Sequence, residues 1–415
     1  MRAPLESSSD TSWLRWTIVA LLSSSIAINL IDRQVLSVLA PVLRESLSLS
    51  ATEYGYITAA FQLGMMAGQV PIGAFIDRVG TRIGLATIFV AWSLVGGAHA
   101  LASGLAGFVF LRFLMGLSEC GNYTAGIKAI AGLFPPSNRA SAGGLFNAGA
   151  QLGSVIATPL IVFIATTIGW RMAFLVPAVV GLLWLVPWLA LFPNDDGHPT
   201  AAREGSGASV GFAELIGNRK VMGLFLIRVF SGPITTFYWA WLPLYLRTGR
   251  AMSFATIGML GWLPNLFGMT GNIVGGFLTD ALVKVTGSVD LGRKLAFAGA
   301  FGLSALSMAM PFVSNDLVAL ALMGLALFGN QWVAATYIGT VGDIVPPHLV
   351  GRVNGIAGFG DSTSVLVAQL AIGVLVDRYS FTPVFIGAGM FPMLALVSVL
   401  VVLGKIERAQ FGSVA

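Results

Sequence analysis

Seven ionisable residues stand inside long apolar stretches of this chain: Asp32, Arg33, Arg112, Glu119, Lys128, Arg228 and Asp361. A charge at mid-bilayer costs ~2.5–3.5 kcal/mol even on the lenient insertion scale, so such residues line a wet cavity or pair with one another. Arg112 and Glu119 are seven positions apart, which puts them on one helix face about 10 Å from each other. Tyr123 follows one turn further on that face. Lys128 points to the opposite side, near Phe134-Pro135, where a lysine can snorkel to the interface. Asn29 and Arg33 share a face, with Asp32 turned about 100° away, so the acid and the arginine address different neighbours.

The charge count indicates the ligand. Four cations stand against three carboxylates, and an anion would complete the balance. Guanidinium suits a carboxylate through paired hydrogen bonds. A carboxyl that alternates between burial and an arginine's company can load and release a proton. The histidines offer no such site, because His99 lies near a helix end and His198 and His348 lie in loops. Proton handling therefore falls to Glu119 and Asp32.

The elements that must position these residues are membrane helices. The chain has 415 residues, 56% hydrophobic and only 10% charged, with a mean hydropathy of +0.84. Soluble domains run near ~25% charged, so much of this surface faces lipid. A spanning helix needs ~20 mostly apolar residues. Apolar segments at roughly 15–40, 54–76, 83–103, 106–132, 140–165, 170–192, 219–246, 254–281, 294–313, 316–343, 353–376 and 382–404 make twelve spans. With the N-terminus cytoplasmic, fourteen of the 23 Lys and Arg fall inside and five outside, which places both termini in the cytoplasm. The net charge of +5 is scattered, so no nucleic-acid face is expected. The first apolar run is too long, and too interrupted by Asp32-Arg33, for a cleaved signal peptide. A single cysteine, Cys120, excludes an internal disulfide.

A polar interruption at 193–218 separates an N-terminal six-helix half, 1–192, from a C-terminal half, 219–415. An offset of 211 residues relates Phe134-Pro135-Pro136 and Arg139 to Val345-Pro346-Pro347 and, loosely, Arg352. The same offset relates Trp170–Phe174 to Phe381–Phe385. Gly73–Asp77 and Gly276–Asp280 close their helices alike. Two related halves are a common architecture of secondary transporters. Among the 51 glycines, Gly64/Gly68, Gly149/Gly153 and Gly271/Gly275 make small faces on which membrane helices pack closely.

These residues together carry a family pattern. Gly73-x-x-x-Asp77-Arg78-x-Gly80-x-Arg82 is the general mark, with Asp32-Arg33, Arg112-Phe113 through Glu119, Phe134-Pro135-x-x-x-Arg139-Ala140 and Trp170–Phe174 more specific. Ala240–Leu244 and Trp262-Leu263-Pro264 add to it in the second half. On these, the sequence resembles the anion:cation symporter family of the major facilitator superfamily, and within it the bacterial hexuronate transporter branch, over about residues 15 to 405. The resemblance implies an all-α membrane protein of twelve helices in two pseudo-symmetric halves. It implies that Arg33 and Arg112 meet substrate or gate it, and that Asp32 and Glu119 couple protons. It adds Tyr238, Asn330 and Gln331 as pocket residues, beside Asn29, Asn122 and Tyr123. Asp77, Arg78, Arg82 and Arg139 are the gating set. Leu30 and Met65 stand where sugar-acid carriers of the family place tyrosines, so either the substrate is less hydroxylated or Asn122 and Tyr123 replace those hydroxyls.

The expected function is inward proton symport of an organic monocarboxylate, most naturally a hexuronate or aldonate, by alternating access in a bacterial inner membrane. The partners are a small organic anion, a proton and the bilayer, with the monomer as functional unit and no cofactor or metal. The alternatives are a transporter of a less hydroxylated or aromatic carboxylate and a drug–proton efflux antiporter. Efflux would call for Gly-x-x-x-Gly-Pro-x-x-Gly-Gly on the fifth span, where the chain reads Gly149-Ala150-Gln151-Leu152-Gly153-Ser154. An enzyme would need a clustered acid, base or metal site near an interface, which the short loops do not supply.

Overall fold

The computed structural model describes residues 9–134, 136–193, 211–346 and 349–410. Pro135, Pro347, His198, His348, Arg203 and most of the expected linker lie outside the described residues. All regular structure among the described residues is helical. The first part comprises α1 (Ser9–Leu47), α2 (Ala51–Val79), α3 (Thr81–Ala98), α4 (Leu105–Glu119), α5 (Gly121–Leu133), α6 (Pro136–Ile168) and α7 (Met172–Leu191). Then come α8 (Phe212–Gly217), α9 (Arg219–Thr248), α10 (Phe254–Leu260), α11 (Leu263–Thr286), α12 (Val289–Ser304), α13 (Asp316–Ile344), α14 (Val350–Arg378) and α15 (Thr382–Val397).

Among the described residues, ten helices are long and apolar enough to cross a membrane, or eleven with α2, which bends by 47° ahead of Pro71. Proline lacks the N–H that a straight helix needs there. The remaining expected span, 106–132, is the α4–α5 pair. It carries Arg112, Glu119 and Lys128, and it is divided at Cys120, directly after Glu119. Large apolar side chains such as Phe163, Leu183, Phe277 and Val285 face outward, while Asn29, Asp32, Arg112 and Glu119 are buried. This distribution is the reverse of a water-soluble domain.

The contacts form two units. The first is Met1–Leu49 with Ala60–Ala202, and the second is Ser50–Ala59 with Arg203–Ala415. In the first, α1 packs on α6 through Gly149 and Gly153, where added Cβ atoms would sit 2.0 and 2.5 Å from the carbonyls of Ser23 and Ala27. Between α3 and α7, Phe89 stacks on Trp184, and Trp184 on Trp188. In the second unit, Gly271 and Gly275 of α11 seat against Phe328 and Trp332 of α13. All three expected glycine pairs thus sit at helix crossings, since Gly64 and Gly68 meet α4 and Cys120 in the same way. Helix starts in this unit are capped by Asn218, Ser253, Ser288 and Asn315, whose side chains accept from first-turn N–H groups.

Ser50–Ala59 belongs to the second unit, which the expected division at 193–218 does not foresee. The Asp377 carboxylate of α14 accepts from the N–H groups of Ala51 and Thr52 at 2.8 and 2.6 Å. Gln369 Oε1 accepts from Thr58 and from Trp241 Nε1. The short helix α8 occupies the last stretch of the expected linker.

Candidate functional site

In the first unit, α1 and α4 bring Arg33 and Glu119 together. Arg33 Nε donates to Glu119 Oε2 at 2.7 Å, with the Glu119 side chain fully buried and that of Arg33 27% exposed. Beside this pair α2 and α4 approach closely, because Gly64 of α2 and Gly116 of α4 face the opposing backbone. A Cβ on either would sit 2.1 Å from a carbonyl oxygen, that of Phe113 or of Phe61. The approach carries Phe61 and Met65 to the charges. The Cζ atoms of Arg33 and Arg112 stand 5.3 and 5.9 Å from the Phe61 ring centre, so one aromatic ring attends both cations. Arg33 Nη2 lies 3.8 Å from Met65 Sδ. Asp32, on its separate face of α1, accepts from Trp92 Nε1 at 3.2 Å. Arg112 is 3% exposed and Asn29 is likewise buried.

The further candidates of this unit divide. Asn122 is buried and its Oδ1 accepts from Ser25 Oγ at 3.2 Å, while its Nδ2 has no partner. Tyr123 is 51% exposed and packs beside Phe146, ring centres 5.7 Å apart, rather than being enclosed with Arg112 and Glu119. Lys128 does not merely snorkel: its Nζ bonds Asp77 Oδ1 at 2.9 Å and the Ile76 carbonyl at 3.3 Å. Among the gating candidates, Asp77 and Arg78 are exposed. Arg82 donates to the Leu189 carbonyl. Arg139 donates to the carbonyls of Phe134 and Ala131, satisfying the end of α5.

In the second unit the expected pocket residues are engaged with the protein. Tyr238 Oη shares a 2.7 Å hydrogen bond with Ser307 Oγ in a buried contact. Asn330 accepts from Thr235 and donates to the Ser231 carbonyl at 3.3 Å, tying α13 to α9. Gln331 is buried against Gly268 of α11. All three are buried. An ion pair of this unit on α9 and α14 is Arg228 Nη2–Asp361 Oδ2 at 2.7 Å, with side chains 32% and 20% exposed.

Phe61 and Trp92 are the residues that sequence reasoning misses. Trp92 did carry a signal, because an indole N–H buried mid-span requires an acceptor, and Asp32 is that acceptor. Phe61 carried none, since its place beside two arginines follows from the Gly64–Gly116 crossing.

The site of the first unit is thus a guanidinium–carboxylate pair beside a second arginine, inside a helical membrane protein. Comparison with known proteins supplies the context. The sequence pattern of the Major Facilitator Superfamily matches residues 22–289. The chain belongs to this superfamily. It is 29% identical over 420 residues to the "Hexuronate transporter" of Escherichia coli (strain K12), covering 96% of each chain. It is 28% identical over 428 residues to the "Probable galactarate/D-glucarate transporter" of the same organism, covering 95% of this chain and 96% of that one. The solved D-xylose-proton symporter shares the fold, with a TM-score of 0.78 at 17% identity over 94% of this chain and 98% of that one. As a superfamily member the chain is a multi-pass membrane transporter and not an enzyme.

Proposed function

We propose that this superfamily member imports a sugar acid together with a proton, by alternating access of the halves 1–192 and 219–415 in a bacterial inner membrane with both termini cytoplasmic. The observation that carries the reading is the Arg33–Glu119 pair, whose acid is wholly buried and whose arginine is partly open. Arg33 and Arg112 bind the substrate carboxylate. That carboxylate competes with Glu119 for guanidinium. A buried carboxylate stripped of its cation is strongly destabilised, so Glu119 takes a proton as the anion binds. Asp32 is the second proton carrier, and Asp77, Arg78, Arg82 and Arg139 serve the gates. The relatives' substrates, hexuronates and galactarate or glucarate, support the sugar-acid class.

Met65 beside Arg33 favours a second reading of the substrate, as a less hydroxylated carboxylate, because a thioether is a weak acceptor and no donor. Thermal stabilisation of the purified protein, at mildly acidic and neutral pH, separates the readings. The ligands are glucuronate, galacturonate, galactonate, an aromatic carboxylate and the neutral parent sugars. Stabilisation by a sugar acid and not by its neutral parent is the expected result. Stabilisation by the aromatic carboxylate alone would favour the second reading. A response only to apolar or cationic compounds would overturn both and indicate efflux.

A further inference from the structure

Between α14 and α15, over the face of α9, the second unit carries an apolar groove that the proposed mechanism leaves unused. All its walls belong to these three helices. The larger part has a volume of about 430 Å³ and runs between Phe225 of α9 and Val367 of α14. The smaller part, about 110 Å³, lies toward Leu375 and Pro383. Both parts share Pro233, Ala368, Ala371 and Phe391, so the groove is continuous. Ala368 and Ala371 on one wall and Gly387 and Ala388 on the other are too small to meet across it. Its two hydroxyls, Thr363 and Ser364, donate to carbonyls of their own helix, those of Phe359 and Asp361, each at 2.8 Å. A sugar acid therefore finds no free donor along the groove, and its occupant is apolar over that length. One end is different. Arg378 follows Ala371 by seven positions, so it stands on the same face of α14, two turns or about 10 Å further on. It is exposed and makes no ion pair among the described residues. The adjoining Asp377 carboxylate is taken up by the N–H groups of Ala51 and Thr52. Tyr379 is 71% exposed, as an aromatic residue at headgroup level is. Val367 is 59% exposed, so the groove opens sideways to the bilayer. An unfilled groove forfeits packing contacts along its lining, and a flexible acyl chain is what a bilayer offers to fill it.

We propose that this groove is a binding site for one phospholipid with an anionic headgroup, whose acyl chain lies over Pro233 between α14 and α15 and whose phosphate meets Arg378. The cation at the end of the groove distinguishes this occupant from a purely apolar compound, and the lack of free donors distinguishes it from the transported acid. A headgroup without a cation of its own leaves its phosphate to the guanidinium, a charge-assisted contact. Binding here depends on the membrane placement of the chain and not on which acid is transported.

The test is native mass spectrometry of the purified, delipidated full chain, titrated with phosphatidylglycerol or with phosphatidylcholine. Wild type is expected to bind a first phosphatidylglycerol saturably, about fivefold tighter than phosphatidylcholine. G387L fills the groove, and a Cβ at Gly387 meets nothing within 4 Å, so the variant has room to fold. It should weaken the first lipid of either kind by about tenfold, the equivalent of ~1.4 kcal/mol. A371L, at an exposed position on the opposite wall, carries the same test if G387L does not fold. R378Q should weaken phosphatidylglycerol by about fivefold, the size of one basic residue's attraction to anionic lipid, and leave phosphatidylcholine unchanged. Unchanged phosphatidylglycerol affinity in the filled variant would overturn the proposal, as would lipid uptake with no saturable first site. Equal affinity of wild type for the two lipids, or an equal effect of R378Q on both, would leave an apolar groove without headgroup recognition and overturn it too. A lipid-free dimer that G387L dissociates would assign the groove to a second copy of the chain instead.

Discussion

Each unit of this protein holds an arginine–carboxylate pair at 2.7 Å inside a spanning helix, yet the two pairs differ in enclosure. In the first unit Glu119 is wholly buried, Arg112 stands by, and Phe61 attends both arginines. In the second, Asp361 is partly exposed, one of its oxygens is unpartnered, and Arg228 is the one arginine at the pair. An acid that is fully enclosed responds strongly to losing its cation, which suits a coupling group. An acid that touches one corner of a more open guanidinium suits orientation. The same pair of residue types thus sits in two different settings, set by enclosure and company.

The largest expected effect tests the first unit. Arg112→Ala should reduce sugar-acid binding more than ~100-fold, since truncating one member of a buried charged contact costs ~2–5 kcal/mol. Arg228→Ala should leave glucuronate binding nearly intact. Equal losses in both variants, by calorimetry, would erase the distinction between the units. Next comes the coupling acid. In proteoliposomes, Glu119→Gln should lose pH-gradient-driven accumulation by about 100-fold or more, within the range of ~10²–10⁴ typical for a positioned proton-transfer group, while substrate counterflow persists. Asp361→Asn should keep both activities. A Glu119→Gln protein that still accumulates substrate with the wild-type pH dependence would end the assignment of coupling to Glu119.

The membrane class, most spans and the charge-bearing residues are legible in the sequence because apolar runs and their interruptions are local features. The face shared by Arg112 and Glu119 follows from helix period alone. That Arg33, three spans away in the chain order, closes on Glu119 does not. It depends on how α1 lies beside α4 in the packed unit. Tyr123 shows the limit of period counting, because a shared helix face does not make a side chain as enclosed as Glu119. Tyr238, Asn330 and Gln331 show another limit. A polar residue on a cavity-lining helix and one that bonds a neighbouring helix look alike in sequence, and only the Ser307, Thr235 and Gly268 contacts separate them. Lys128 is similar: nothing near it in sequence names Asp77 as its partner.

Two glycines sharpen the comparison at a smaller scale. A methyl at Gly64 would meet the Phe113 carbonyl at 2.1 Å, and a methyl at Gly232 would meet Asp361 Oδ1 at 2.0 Å. The first obstacle is backbone in a packed crossing and cannot rotate away. The second is the end of a side chain that can. Gly64→Ala should therefore destabilise the protein by ~1–3 kcal/mol, the usual range for overpacking, with a clear drop in melting temperature and weakened binding. Gly232→Ala should cost less than ~1 kcal/mol and act mainly by displacing Asp361 from Arg228. A larger melting-temperature loss for Gly232→Ala than for Gly64→Ala would mean that Asp361 is held more rigidly than its single hydrogen bond implies.

The smallest effect concerns Asp32, the acid for which no counterpart appears beside Asp361. Its Oδ2 accepts from Trp92 Nε1 at 3.2 Å, and the indole is held by Phe89, ring centres 4.0 Å apart. Trp92→Phe keeps an aromatic ring in that position and removes the donor. A net hydrogen bond contributes ~1 kcal/mol, so proton-driven uptake should fall about fivefold with binding to Arg112 largely preserved. Trp92→Ala removes the ring as well and should cost more, through the cavity it leaves. If Trp92→Phe matches wild type while Trp92→Ala does not, the tryptophan matters to Asp32 only as packing. The difference between the units would then lie in Glu119 and its two arginines alone.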